Sequence, residues 1–237
     1  MLLFFSLNDV LRSHNHAHCS REEAIVGEEG YGLKTQAEDN EKLDSWRQRL
    51  IDAYSEIRNE QKRADELVLG HKHMYGELVR SRLIQIFEVF RGDGDFNSDS
   101  VFVDLGCGLG KVVYMASKCG IRESIGIEEE KKHLDVMRNS MKKLVAQDVT
   151  IIQGLVEDHL HEVRHVTHLY SFDWVFSPVT LNTIYDFLRK HTGVYWASFQ
   201  KPAELTEQAL KFQLLKEIDG KMSRSTERHK CYVYKIV

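Results

Sequence analysis

Asp104, Gly106, Gly108 and Gly110 follow the apolar run Val101-Phe102-Val103 in the spacing D-x-G-x-G-x-G, with Lys111 directly after. A β-branched run that ends in an acid and then in alternating glycines predicts a strand entering a ligand-cradling turn. Glycine lets the backbone turn sharply and come close to a bound molecule before a helix begins. A second acid, Glu128, ends the next strand-like run, the place where a parallel α/β sheet presents a carboxylate to a ribose diol. The glycines are closer together than in the dinucleotide pattern G-x-G-x-x-G, and Lys111 is misplaced for the phosphate loop G-x-x-x-x-G-K-S/T. The spacing therefore favours S-adenosylmethionine. Asp104 is expected to position its cationic amino-acid end. The loop at Gly106, Cys107, Gly108, Gly110 and Lys111 is expected to surround its methionine portion, and Glu128 to accept from both ribose hydroxyls. The plain alternative is a tight strand-to-helix turn that binds nothing.

Other segments extend the pattern. Met74-Tyr75-Gly76-Glu77 lies upstream of the loop, Ile125-Gly126-Ile127-Glu128 carries the second acid, and Ala197-Ser198-Phe199-Gln200-Lys201-Pro202 and Cys231-Tyr232-Val233-Tyr234-Lys235-Ile236 lie downstream. With the loop, these residues resemble the non-SET histone lysine methyltransferases first described as disruptors of telomeric silencing, a branch of the class I methyltransferases, from about His71 to the end. The resemblance implies that Tyr75 and Glu77 sit on a loop that closes over the cofactor. It also implies a nuclear protein whose acceptor is a lysine of a nucleosomal histone. The chain departs from the family at two places. Gly154-Leu155-Val156 stands where the family has Gly-Asp-Phe, which puts Leu155 beside the adenine. Trp174-Val175-Phe176-Ser177-Pro178 stands where the family has Asn-Asn-Phe, which makes Phe176 and Ser177 transfer-site residues.

Methyl transfer to an amine needs alignment and a dry passage more than a side-chain nucleophile. Tyr75, Phe176 and Trp196 are the aromatic side chains expected to wall that passage, and each reads equally well as a core aromatic. The competing acceptors are a non-histone protein or a small molecule, because fold does not fix function. A cofactor-binding regulator without catalysis is the reading from another class.

A formal net charge of -4 provides no basic field to draw the chain to DNA or acidic membranes, so nucleic-acid contact is expected to be weak or indirect, helped by a basic partner chain. Arg189, Lys190, Lys211, Lys216, Lys221, Arg224, Arg228 and Lys230 are the richest cationic surface, broken by acids. Cys19, Cys107, Cys119 and Cys231 have no C-x-x-C spacing and read as reduced, intracellular thiols. His14-Asn15-His16-Ala17-His18-Cys19 is too crowded for a tetrahedral metal site and reads as solvated loop, so no metal is expected. Met1-Leu2-Leu3-Phe4-Phe5 lacks the basic flank and apolar length of a secretory signal.

The elements that must position these residues are predicted as follows. Glu28 to Asn40 reads as a glycine-containing connector or lid. Glu41 to Leu69, with Leu43, Trp46, Leu50, Tyr54 and Ile57 at helical spacing and Asn40 as N-cap, reads as one amphipathic helix. Glu77 to Phe90 is a second helix. Strands are expected at Val101 to Leu105, Ser124 to Ile127, Val149 to Gln153, Trp174 to Phe176, Val194 to Phe199, Phe212 to Ile218 and Cys231 to Ile236. This predicts a doubly wound, seven-stranded Rossmann-like methyltransferase sheet with a C-terminal antiparallel hairpin. Residues 1–70 form a helical extension and 71–237 the methyltransferase domain.

Overall fold

The computed structural model describes residues 29–68, 77–93, 96–221 and 228–237. The readings of Met1 to Phe5, of His14 to Cys19, of Tyr75 and of Arg224 fall outside them.

Seven strands form one sheet in the order β3-β2-β1-β4-β5-β7-β6. They are β1 (Val101–Leu105), β2 (Glu123–Glu128), β3 (Val149–Gln153), β4 (His168–Ser171), β5 (Tyr195–Ser198), β6 (Phe212–Lys221) and β7 (Arg228–Ile236). The first five run parallel, and β7 enters antiparallel between β5 and β6. The expected doubly wound sheet with a closing hairpin is therefore present. Strand order reverses between β1 and β4, which opens a crevice at the carboxyl ends where such sheets take ligands. β1 is buried along its whole length, as a central parallel strand covered on both faces must be.

Helices fill the two faces. They are α1 (Glu29–Val68), α2 (Arg80–Asp93), α3 (Lys111–Ser117), α4 (Lys131–Lys143), α5 (Val156–His159), α6 (Pro178–Lys190) and α7 (Pro202–Glu207). The chain divides into Met1–Glu41 and a compact unit Lys42–Val237. Within the larger unit, Trp46, Leu50, Ala53, Tyr54 and Ile57 of α1 join α2 and α3 in one apolar cluster, the face that their spacing predicted. The other cluster joins β1, β2 and β5 to α6.

Element placement departs from expectation most clearly in α1, α2 and the fourth strand. α1 begins at Glu29, so the segment read as a connector is helical, and Asn40 is an exposed position inside the helix rather than its cap. Glycine costs about 1 kcal/mol in a helix but does not forbid one, and Gly30 and Gly32 lie within it. α2 begins at Arg80, which leaves Glu77 in the approach rather than the first turn. The fourth strand is His168–Ser171 instead of Trp174 to Phe176. Its two polar ends disguise it: both are buried, with His168 Nδ1 2.9 Å from Thr167 Oγ1 and Ser171 Oγ donating to Asp173 at 2.9 Å. Trp174 and Val175, the apolar residues that suggested a strand, form a short 3-10 turn and are 53% and 54% exposed.

Candidate active site

The loop from β1 to α3 is built on glycine where backbone geometry demands it. Gly106, Gly108 and Gly110 have φ values of 70°, 54° and 74°, left-handed conformations in which side chains are strained. Behind the loop, Gly126 of β2 leaves room for Cys107. A Cβ there would lie 2.6 Å from Cys107 Sγ, and Cys107 itself reaches Met137 Sδ at 3.7 Å. Cys107 is thus a packing residue beneath the loop whose thiol is pushed up by burial, then by Asp104 and Glu128, and its backbone supplies the turn.

Glu128 ties the loop to the next strand. Its Oε2 accepts from Gly108 N at 2.7 Å and its Oε1 from Glu130 N at 2.9 Å, with His133 Nδ1 3.5 Å away. Burial pushes its carboxyl up, but His133 and the amides of Glu130 and Gly108 outweigh that and hold it below the usual carboxylate value. Each oxygen keeps an acceptor position beyond the bond it makes. Glu128 therefore faces the crevice charged and pre-oriented, as a ribose diol requires.

The crevice has a volume of about 640 Å³ and is lined by Gly106, Gly108, Glu128, Leu155, Phe176 and Ser177, among others. That is large enough for a cofactor-sized ligand. Leu155 is 40% exposed at the crevice wall. Gly154 before it has a φ of 151° and lies against the His159 ring, where a Cβ would sit 2.3 Å from Nε2. Of the two acids that follow, Glu157 is the one at the wall, and its Oε2 accepts from Thr180 Oγ1 at 3.1 Å.

Phe176 lies over the loop, its ring 3.1 Å from where a Cβ on Gly106 would be, so it closes the crevice above the glycines. Ser177 is the N-cap of α6: its Oγ accepts from Thr180 N at 3.1 Å and lies 2.9 Å from Thr180 Oγ1. Both expected transfer-site residues therefore reach the crevice. Trp196 does not. It is fully buried in β5, donates from Nε1 to Ser171 Oγ at 2.9 Å and packs on Tyr185 and Tyr234, so it is a core residue and forms no wall of a passage. The strand alternation that puts Trp196 inside was hidden because β5 is buried on both faces.

Asp104 and Glu77 lie deeper. Asp104 is 2% exposed, and burial with the nearby Glu128 holds its carboxyl well above the ordinary value. Glu77 Oε2 accepts from Lys111 Nζ at 2.8 Å, in a pair that is almost wholly buried. The Tyr170 phenol, opposite Asp104 in the sheet, is pushed up by burial and then by the nearby Asp104. Glu77 and Glu128 against Lys111 leave the cradle around Asp104 net negative. This suits S-adenosylmethionine, whose sulfonium and ammonium outnumber its carboxylate.

Two residues that the sequence reading missed support this site. Gln61 of α1 is fully buried and donates from Nε2 to the Leu109 carbonyl of the loop at 2.6 Å. Its place on the buried face of α1, one turn after Ile57, was the available signal. Asp173, buried after β4, accepts from Ser171 Oγ at 2.9 Å, Ser198 Oγ at 2.5 Å and Phe199 N at 2.8 Å. It thereby ties the turn before Phe176 to the Ser198-Phe199-Gln200 segment. Burial raises its carboxyl to about 6 despite these donors.

Comparison with known proteins bears on the family and the fold. The family model described as histone methylation protein DOT1 matches residues 56–155, which contain α3, the glycine loop and Glu128. Among solved structures, the chain is similar to a Pyrococcus horikoshii protein assigned as an RNA methyltransferase. The TM-score is 0.52 at 18% identity, covering 68% of this chain and 86% of that one. It is also similar to an rRNA methylase from Streptococcus thermophilus, with a TM-score of 0.51 at 13% identity, covering 70% and 99%. At these identities the likeness is one of fold. No curated protein matches the chain.

Proposed function

We propose that this chain, a methyltransferase that uses S-adenosylmethionine and resembles the DOT1 family over residues 56–155, methylates a lysine amine of a protein, with a nucleosomal histone as the leading acceptor. The observation that carries the acceptor is the family match across residues 56–155, which joins α1, the approach to α2 and the cofactor loop in one familial pattern.

When bound, the cofactor supplies an electrophilic methyl group on sulfur. The residues of the chain do the rest. Glu128 holds the ribose hydroxyls, and the loop amides and the acidic cradle hold the amino-acid end. Phe176 covers the loop and keeps water from the crevice. Ser177 and Phe172 also line the crevice wall, and we assign the acceptor amine to this part of it. Burial beside a positive sulfur disfavours the ammonium form of that amine, which promotes loss of its proton before attack. Positioning supplies the acceleration and no protein nucleophile is needed. Activity in the nucleus, with a basic partner chain to supply affinity for chromatin, follows from the same proposal.

A transfer assay with tritiated S-adenosylmethionine against reconstituted nucleosomes, free histones and a cell lysate tests the acceptor. Labelled histone lysine is expected. Label confined to other proteins or to small molecules would replace the acceptor, and no label with intact cofactor binding would favour a non-catalytic regulator.

A further inference from the structure

Glu157, Thr180 and Ser177 all line the crevice, and their side chains form a continuous run of hydrogen bonds along its wall. Thr180 Oγ1 donates to Glu157 Oε2 at 3.1 Å, and Ser177 Oγ lies 2.9 Å from Thr180 Oγ1. A hydroxyl has one hydrogen to give, and a carboxylate only accepts. Thr180 spends its hydrogen on Glu157, so Ser177 must donate to Thr180, and the run points from Ser177 toward the acid. The Ser177 oxygen then keeps two lone pairs. One accepts from Thr180 N at 3.1 Å, and the other is left at an exposed position on the crevice wall. The cap of α6 is thus also an acceptor oxygen backed by a relay to a carboxylate.

We propose that Ser177, Thr180 and Glu157 carry the proton away from the acceptor amine, with Ser177 as the group that touches the amine and Glu157 as the proton's destination. This role rests on the lysine acceptor reading above and gives its proton an outlet. An ordinary lysine amine titrates at about 10.4, so at pH 7 fewer than about one in a thousand is neutral and able to attack. The ammonium gives a hydrogen to Ser177 Oγ while Ser177 passes its own to Thr180 Oγ1 and Thr180 passes its own to Glu157 Oε2. Both hydroxyls end with one hydrogen and Glu157 ends neutral. The amine keeps the electron pair, which forms the bond to the methyl carbon as the carbon–sulfur pair departs to sulfur. Glu157 is half-buried and returns the proton to water. Glu128, Glu129, Glu130, Lys132 and His133 are the other charged or titratable groups on the crevice wall. Glu128 is held by the amides of Gly108 and Glu130, and Glu130 accepts from Lys132 N, whereas Glu157 is joined to Ser177.

The test is turnover of the full chain with tritiated S-adenosylmethionine and reconstituted nucleosomes at pH 7 and pH 9, beside calorimetry with S-adenosylhomocysteine. Glu157→Gln keeps an oxygen for Thr180 but takes no proton, and Thr180→Val interrupts the relay while leaving the amide that Ser177 caps. Each is expected to lower kcat more than tenfold at pH 7 and to change S-adenosylhomocysteine affinity less than threefold. Most of the loss should be recovered at pH 9, where the share of neutral amine is about a hundredfold larger. A loss of the same size at both pH values would reduce the run to a structural brace, and a parallel loss of S-adenosylhomocysteine affinity would assign it to the cofactor; either overturns the relay. Glu157→Gln, which preserves shape, carries the test if Thr180→Val does not fold. Lysine label that is insensitive to both substitutions overturns the relay alone. Absence of lysine label from the unsubstituted chain, with S-adenosylhomocysteine still bound, overturns the acceptor reading and the relay with it.

Discussion

Glu128 Oε2 accepts the Gly108 amide at 2.7 Å, so the acid at the end of β2 and the glycine loop after β1 are one unit. The same carboxylate that shapes the loop is the group we propose for the ribose hydroxyls. Glu128→Ala is therefore expected to lose cofactor affinity by more than tenfold, since charge-assisted hydrogen bonds contribute about 1.5 to 3 kcal/mol. Glu128→Gln should fall between. Calorimetry with S-adenosylhomocysteine checks both, and wild-type affinity in Glu128→Ala would remove the ribose role.

Gly126→Ala probes the packing under the loop. The new methyl group would meet Cys107 Sγ at 2.6 Å and Val113 Cγ2 at 3.0 Å in a filled core. Overpacking of this kind costs about 1 to 3 kcal/mol. Urea unfolding should register that loss, and Cys107→Ala in the same chain should recover part of it by removing the sulfur. Additive losses in the double variant would mean that the strain lies elsewhere.

Ser177 carries two separable roles. As the N-cap of α6 its loss to alanine should cost about 1 kcal/mol of stability, whereas Ser177→Asp keeps a capping oxygen. If the hydroxyl also serves the acceptor side, Ser177→Asp should retain stability but lose turnover more than cofactor affinity. Equal turnover in Ser177→Asp and the unsubstituted chain would leave the cap as the only role.

Asp173 makes the stability depend on pH in a direction opposite to that of a salt-bridged acid. Its folded value of about 6 lies above the ordinary carboxylate value, so between the two the folded chain binds more protons than the unfolded one. The contribution of Asp173 to stability is full below about pH 4 and is lost as pH rises through 6, by about 3 kcal/mol for a shift of roughly two units. Asp173→Asn removes this dependence. Its stability relative to the unsubstituted chain should rise between pH 4 and 7, as read from urea midpoints. A constant difference across that range would show that Asp173 does not titrate there.

What one sequence decides by itself is local chemistry. The D-x-G-x-G-x-G spacing could only be a sharp left-handed turn after a strand, because its three glycines take conformations that side chains resist. The distance to Glu128 is one helix and one strand, so the acid had to arrive at the next strand's end. The apolar stripe of α1 likewise marks its buried face, because a 3.6-residue period has one geometric meaning. What the tertiary structure decided depends on partners remote in the chain. Strand β4 escaped notice because His168 and Ser171 are buried polar ends satisfied by neighbours, and two of the three apolar residues that stood for it, Trp174 and Val175, are left exposed. Trp196 reads the same in sequence whether it walls a crevice or fills a core, and the bond to Ser171 puts it in the core. Gln61 becomes a loop contact only because α1 folds back on residues 48 positions later, where its amide meets the Leu109 carbonyl. Polar residues gain their meaning from what they are buried against, and that is fixed by packing rather than by spacing.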